Sequence, residues 1–230
     1  MARTVVVTGG FGALGSAVGG AFADRGERVV LIDRADRVPE GLQARVGNAQ
    51  CLPGVDLADP ASAQQAMRAA AEPGGVIDVL VNIAGGFDWQ TLVDGDVDVW
   101  RRMFEMNLET AVVASKAALP QLLQARHGRV INVGAGAAAR ASAGMGAYTA
   151  SKAGVERFTE SLAEELKDKG VTVNAILPGT IDTPRNRADM PDADPARWVA
   201  PEDIAAVIVF LASQEARAVT GAAIRVFGRG

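Results

Sequence analysis

Tyr148 and Lys152 stand four residues apart in a helical segment that ends at Lys169-Gly170, so the two side chains share one face. A phenol is a weak acid at neutral pH. An ammonium one helical turn away favours the phenolate and brings the phenol closer to a useful proton donor and acceptor. Tyr148 is the chain's only tyrosine. Taken alone, a Tyr-x-x-x-Lys pair is more often a surface pair. Here it follows a strand-like run, 129–133, in a chain that alternates strands and helices, and ligands gather at the carboxyl ends of such strands.

A second candidate site lies near the N-terminus. Thr8-Gly9-Gly10-Phe11-Gly12-Ala13-Leu14-Gly15 falls between a strand over 4–8 and a helix over about 14–25, and contains G-x-G-x-x-G as Gly10, Gly12 and Gly15. The pattern alone is weak, but its placement is specific. A tight turn lets the backbone approach a pyrophosphate, and the following helix points its N-terminus at the anion. Asp33 ends the second strand, 18 residues after Gly15, where a carboxylate accepts hydrogen bonds from the adenosine ribose and repels a 2′-phosphate. NAD is therefore expected over NADP. Arg34 keeps NADP possible, since a guanidinium can hold a phosphate. The bland alternative, a glycine turn and a solvated strand-end aspartate, does not account for this agreement of spacing and order.

The elements that must position these groups alternate along the chain. Strands are expected over 4–8, 28–33, 50–55, 76–82, 129–133, 171–177 and 223–227. Helices are expected over 14–25, from Pro60 with Asp59 as N-cap, over 97–126 with a break near Asn107, through 169, and over 201–212. Segments 34–48 and 184–199 show no clear period. This spacing predicts an α/β fold, a doubly wound Rossmann-like parallel sheet with helices on both faces, in one domain over 1–230. Residues 184–200, with three prolines, form a candidate lid over a substrate. Phe87, Trp89, Met145, Met190 and Trp198 either form an apolar substrate pocket or pack as ordinary core.

Composition removes several classes. Lys plus Arg is 23 and Asp plus Glu is 27, a net charge of −4, so nothing electrostatic suggests nucleic acid or an anionic membrane. One cysteine, Cys51, and one histidine, His127, leave no disulfide framework, no zinc motif and no expected metal. Cys51 is expected in a strand, and His127 at a helix end. No run of about 18 apolar residues exists, and Met1-Ala2-Arg3 leads straight into a strand without a signal peptide, so a cytoplasmic location is expected.

Taken in order, Thr8-Gly9…Gly15, Asp33, Asp56-Leu57, Asn82-Ile83-Ala84-Gly85, Asn107, Tyr148-x-x-x-Lys152 and Pro178-Gly179-Thr180-Ile181-Asp182-Thr183 resemble the short-chain dehydrogenase/reductase family over essentially the whole chain. The resemblance implies hydride transfer between a nicotinamide and a carbonyl or alcohol carbon. It makes Tyr148 the general acid/base, gives Lys152 the nicotinamide ribose and the phenol's pKa, and has Asn107 position a water. Gly9, Gly10, Phe11, Gly12, Ala13 and Leu14 would form the phosphate turn. Asp56 and Leu57 would contact the adenine, and Asn82, Ala84 and Gly85 would line the cofactor. Pro178 and Gly179 would border it, and Ile181 and Thr183 would hold the carboxamide. It further implies a homodimer or homotetramer through the helices carrying Asn107 and Tyr148.

The departures matter as much. The serine usual 13 residues before the tyrosine is Ala135, and Ser142 is out of register. The Gly9–Ser16 turn, Ala84-Gly85-Gly86 and the 180–198 stretch are similar to the dihydropteridine reductases, a branch that also lacks this serine. Losing one oxyanion donor typically costs about 10²–10³ in rate for a ketone. An activated, conjugated acceptor such as a quinonoid dihydropterin needs less help. The competing readings are an ordinary carbonyl, 3-oxoacyl or alcohol oxidoreductase in which water or Ser142 supplies the donor, and a non-catalytic dinucleotide sensor. The retained Tyr148, Lys152 and Asn107 argue against the sensor.

Overall fold

The computed structural model describes residues 2–229. Seven strands among the described residues, β1 (Thr4–Thr8), β2 (Arg28–Ile32), β3 (Gln50–Leu52), β4 (Val79–Asn82), β5 (Arg129–Val133), β6 (Thr172–Pro178) and β7 (Ala223–Val226), form one sheet. Its order is β3-β2-β1-β4-β5-β6-β7, and every pairing is parallel. The order reverses between β1 and β4, which opens a crevice at their carboxyl ends.

The helices are α1 (Ala13–Ala23), α2 (Leu42–Val46), α3 (Pro60–Ala71), α4 (Val97–Phe104), α5 (Thr110–Leu122), α6 (Gly146–Leu166), α7 (Pro184–Asp189) and α8 (Pro201–Leu211). On one face of the sheet, Val5, Val7, Val79, Val81 and Ile131 pack against Leu14, Val18 and Phe22 of α1 and Ile204, Ile208 and Leu211 of α8. On the other, Val6, Leu80, Val130 and Val173 meet Met67 of α3, Leu122 of α5 and Leu162 and Leu166 of α6. Burial on both faces explains why β1 is an unbroken apolar run rather than an alternating one. Each fully buried Val, Leu or Ile contributes roughly 1.5–3 kcal/mol.

Local chemistry sets the ends of the elements. Asp59 accepts from the Ala61 and Ser62 N–H groups, each at 3.1 Å, and Pro60 occupies the first helical position. β3 is shorter than the expected 50–55 because Pro53, which has no N–H to donate, follows Leu52. β4 starts at Val79 rather than 76, since the Asp78 carboxylate takes the Thr4 N–H in place of a backbone partner. The expected helix over 97–126 is two helices joined by a five-residue π turn, Glu105–Glu109, with Asn107 at its centre. The aperiodic segments hold α2 and α7, short helices whose few contacts leave no clear period. No helix among the described residues is long and apolar enough to cross a membrane.

Candidate active site

The turn from β1 to α1 is tight because three of its glycines have no room for a side chain. A Cβ on Gly9 (φ +63°) would lie 2.9 Å from the Ala84 nitrogen, and one on Gly10 would lie 2.7 Å from the Leu31 Cβ. One on Gly15 would collide with the Gly9 carbonyl. Gly12 differs: a Cβ there would meet only the Gly9 oxygen, at an ordinary 3.4 Å. Packing therefore explains Gly9, Gly10 and Gly15 but not Gly12. Gly12 is also the N-cap of α1, with no side-chain cap and no acid in the first turn among the described residues. The positive end of the helix is left uncompensated, and the bare backbone can be approached closely, which suits a diphosphate. Asp33 Oδ2 accepts from Phe11 N and Oδ1 from Ala35 N, each at 3.1 Å, so the carboxylate ties the end of β2 to this turn. Arg34 beside it is exposed.

The second half of the crevice is built by α6 and the exit of β4. Thr8 Oγ1 accepts from Ile83 N at 3.1 Å and Ala84 N at 3.2 Å, holding the chain after β4 against the end of β1. Gly86 N donates to Asn107 Oδ1 at 2.9 Å, and Asn107 Nδ2 donates to Ser151 Oγ at 3.1 Å. Ser151 Oγ in turn donates to the Tyr148 carbonyl at 2.7 Å. Gly85 closes the set: a Cβ on it would lie 2.5 Å from Asn107 Oδ1 and 3.2 Å from Lys152 Nζ. Lys152, Asn107 and Gly85 thus meet, and the Ser151 bond ties them to the Tyr148 backbone one turn earlier on α6.

The electrostatics differ from expectation. Lys152 is buried and donates from Nζ to the Val133 carbonyl at 2.9 Å. Burial pulls its pKa down to about 8, and burial alone pushes the Tyr148 phenol up to about 12. Desolvation raises the phenol's pKa where a lowering by Lys152 is expected, and the Lys152 amine points at a backbone carbonyl.

Several expected contacts also change. The side chains of Leu14 and Leu57 lie in the core, so only their backbones are open to a ligand. Ala13 opens α1. Asn82 donates to Ser115 Oγ at 3.0 Å and Asn132 Oδ1 at 2.8 Å, in a buried network that continues to Thr159. Asp56 is exposed and accepts from Ala58 N at 2.9 Å. Pro178 is the buried last residue of β6, and Gly179 N donates to the Val226 carbonyl at 2.9 Å. Thr183 caps α7 by accepting from Asn186 N at 3.1 Å, and Asn186 Nδ2 donates to the Ile181 carbonyl at 2.8 Å. Thr8 heads the expected turn, but its bonds to the chain after β4 are not legible in the sequence, and Ser151 is not among the expected site residues. Ser151 carried one usable signal, its position one turn after Tyr148 on the same helix.

The substrate side is aromatic. The Phe87 ring meets the Tyr148 ring T-shaped, with centroids 5.0 Å apart and planes at 82°. Trp89 Nε1 donates to the Ala143 carbonyl at 3.0 Å, and Gln90 N donates to the Gly144 carbonyl at 2.9 Å. Gly144 has φ +78°, and a Cβ there would run into the Trp89 indole. Ala135 is only 5% exposed at the end of β5, while Ser142 is exposed in the loop before α6. Among the described residues no cluster of three His, Cys, Asp or Glu side chains could hold a metal.

A family model described as short chain dehydrogenase matches residues 3–194. The chain is 31% identical over 234 residues to the 3-oxoacyl-[acyl-carrier-protein] reductase of Vibrio cholerae, covering 98% of this chain and 96% of that one. It is also 31% identical over 237 residues to a 2,5-dichloro-2,5-cyclohexadiene-1,4-diol dehydrogenase of Sphingobium indicum, covering 98% and 95%. Among solved structures, a short-chain type dehydrogenase/reductase from Mycobacterium ulcerans superposes with a TM-score of 0.91 at 26% identity, covering 99% of this chain and 89% of that one. A 3-ketoacyl-(acyl-carrier-protein) reductase from Brucella melitensis, complexed with NADH, gives 0.87 at 26% identity, covering 99% and 98%. These relatives correct the expected likeness to dihydropteridine reductases. Part of that likeness has a packing cause: a Cβ on Gly86, in the Ala84-Gly85-Gly86 match, would press on Met106 Sδ of the π turn.

Proposed function

The chain belongs to the short-chain dehydrogenase family, and on that premise we propose that it is an NADH-preferring reductase of carbonyl groups, of the kind its 3-oxoacyl relatives reduce, with Tyr148 as general acid. The observation that carries this reading is the meeting of Lys152, Asn107 and Gly85 beyond the carboxyl end of β4, with Tyr148 one helical turn before Lys152 on α6. The Gly12 backbone and the open end of α1 would hold the diphosphate, and Asp33 the adenosine ribose. When bound, the nicotinamide supplies or accepts the hydride.

The chain's own residues handle the proton. Tyr148, protonated through the whole neutral range, donates to the substrate oxygen as charge develops there. Lys152, mostly an ammonium at pH 7 and one helical turn from Tyr148, would stabilise the phenolate left behind. To Asn107, fixed by Gly86 N and Ser151 Oγ on a π turn, we assign the holding of a water that returns the proton. Steady-state NADH oxidation with a 3-oxoacyl thioester tests the assignment. Tyr148→Phe should lower kcat by at least about 10²-fold and leave NADH binding, read by nicotinamide fluorescence, within twofold. Retained turnover in that variant refutes the role of Tyr148.

Ala135 favours a second reading within the same chemistry. With a methyl group where a hydroxyl donor usually stands, an activated conjugated acceptor, a quinonoid dihydropterin being one, would be reduced more readily than an unactivated ketone. Faster turnover of the thioester than of a quinonoid acceptor decides against it. Exposed apolar residues Trp100, Phe104 and Val112 on α4 and α5 support the expectation of a homodimer or homotetramer, which light scattering measures.

A further inference from the structure

The Gly86–Gln90 segment is fixed at both ends. Gly86 N is bonded to Asn107 Oδ1, while the Trp89 indole and Gln90 N are bonded to the carbonyls of Ala143 and Gly144 in the loop that enters α6. Phe87 lies between these anchors. One part of its ring covers Tyr148, yet the residue is 48% exposed, so the rest of the ring is open to solvent beside the phenol. A substrate that brings its oxygen to the Tyr148 hydroxyl must pass beside this ring. Thirteen residues before Tyr148, Ala135 offers a buried methyl and no donor. The substrate oxygen then has one side-chain donor instead of two, and apolar contact must do part of the orienting.

We propose that Phe87 is a positioning and specificity-determining residue: its edge-to-face contact fixes the Tyr148 ring, and its open face selects carbonyl compounds carrying a flat conjugated group. This rests on the reading of Tyr148 as proton donor. A conjugated ring beside the carbonyl stacks on or edges against Phe87 at little entropic cost, whereas a puckered alkyl ring cannot lie flat against it. The charged groups near the phenol do not compete for this role. Lys152 points at Val133, while Asp88 and Arg102 pair with each other at 3.2 Å.

The test compares acetophenone with cyclohexyl methyl ketone, which are alike in size and differ in flatness. Reduction of either to its alcohol consumes one NADH and one proton. The wild-type chain should favour the aryl ketone in kcat/KM by at least tenfold. Phe87→Leu should lose most of that preference through a raised KM for acetophenone, while any loss of kcat from the loosened Tyr148 ring falls on both ketones alike. Phe87→Tyr adds a second phenol but restores the preference. Equal losses on both ketones, or an unchanged preference, overturn the selectivity assignment.

A measurement without turnover tests the positioning role. In wild type and Phe87→Leu, Tyr148 remains the lone tyrosine, so ultraviolet phenolate absorbance reports it alone. Uncovering its ring should lower its midpoint by about one pH unit or more. An unchanged midpoint overturns the positioning role. If the wild-type chain oxidises NADH with neither these ketones nor a 3-oxoacyl thioester, the carbonyl-reductase reading fails, and the titration still decides whether Phe87 governs the phenol.

Discussion

Lys152 Nζ donates to the carbonyl of Val133, the last residue of β5, at 2.9 Å. A buried amine satisfied by a single neutral carbonyl is costly to charge, and this has a measurable consequence. Folded Lys152 titrates near 8 and an unfolded lysine near 10.5. Below pH 8 the folded chain carries the buried cation at full cost. Above 10.5 both states hold a neutral amine and the cost is gone. Stability from this group therefore rises between pH 8 and 10.5. Tyr148, raised to about 12, acts in the opposite sense above pH 10, where the unfolded chain ionises first.

Lys152→Met should accordingly be more stable than wild type at pH 7. The depressed pKa corresponds to roughly 3 kcal/mol, and about 1 kcal/mol is returned because the Val133 carbonyl loses its donor, leaving a gain of about 2 kcal/mol. Urea unfolding at pH 7 and pH 10 measures it. An advantage of the same size at both values would show that the amine's charge is not its origin.

Gly12→Ala and Gly15→Ala separate binding from folding. Gly12 has φ −73° and room for a methyl, so alanine should leave Tm within about 2 °C of wild type while weakening NADH binding tenfold or more. Gly15→Ala should instead lower Tm by several degrees, since its Cβ has no space against the Gly9 carbonyl. Calorimetry with and without NADH distinguishes the two.

Asp33→Ala should reduce the preference for NADH over NADPH at least tenfold, read as the ratio of kcat/KM values. It should also cost about 1 kcal/mol of stability, because Phe11 N and Ala35 N lose their acceptor. An unchanged cofactor ratio would assign Asp33 a purely structural role.

Ser151→Ala removes the acceptor of the Asn107 amide without touching the proposed substrate position. The expected result is a kcat reduced about tenfold with KM nearly unchanged, and a flatter dependence on pH if Asn107 serves proton return. Equal changes in kcat and KM would mean that the substrate site itself has been disturbed.

Much of this architecture is legible in the residues. β1 and β5 fall on their expected ranges, and Asp59-Pro60 starts α3 as its types demand. The Gly9–Gly15 turn and the four-residue spacing of Tyr148 and Lys152 locate both halves of the crevice. Short elements are harder to read: α2 and α7 are five and six residues long, too few turns to show a period, whereas the expected break near Asn107 is present as the π turn.

Alternation, caps and spacing are local properties, so the chain determines its parallel sheet and the place of its phenol and amine through neighbours a few residues apart. The charge preference of those two groups is not local. Burial depends on what β4, β5 and the 86–90 segment bring from more than fifteen residues away. Only the tertiary structure turned Lys152 toward Val133, raised the phenol rather than lowering it, and drew Leu14, Leu57 and Asn82 inside. Desolvation sums over every atom that excludes water, and no stretch of sequence contains that sum.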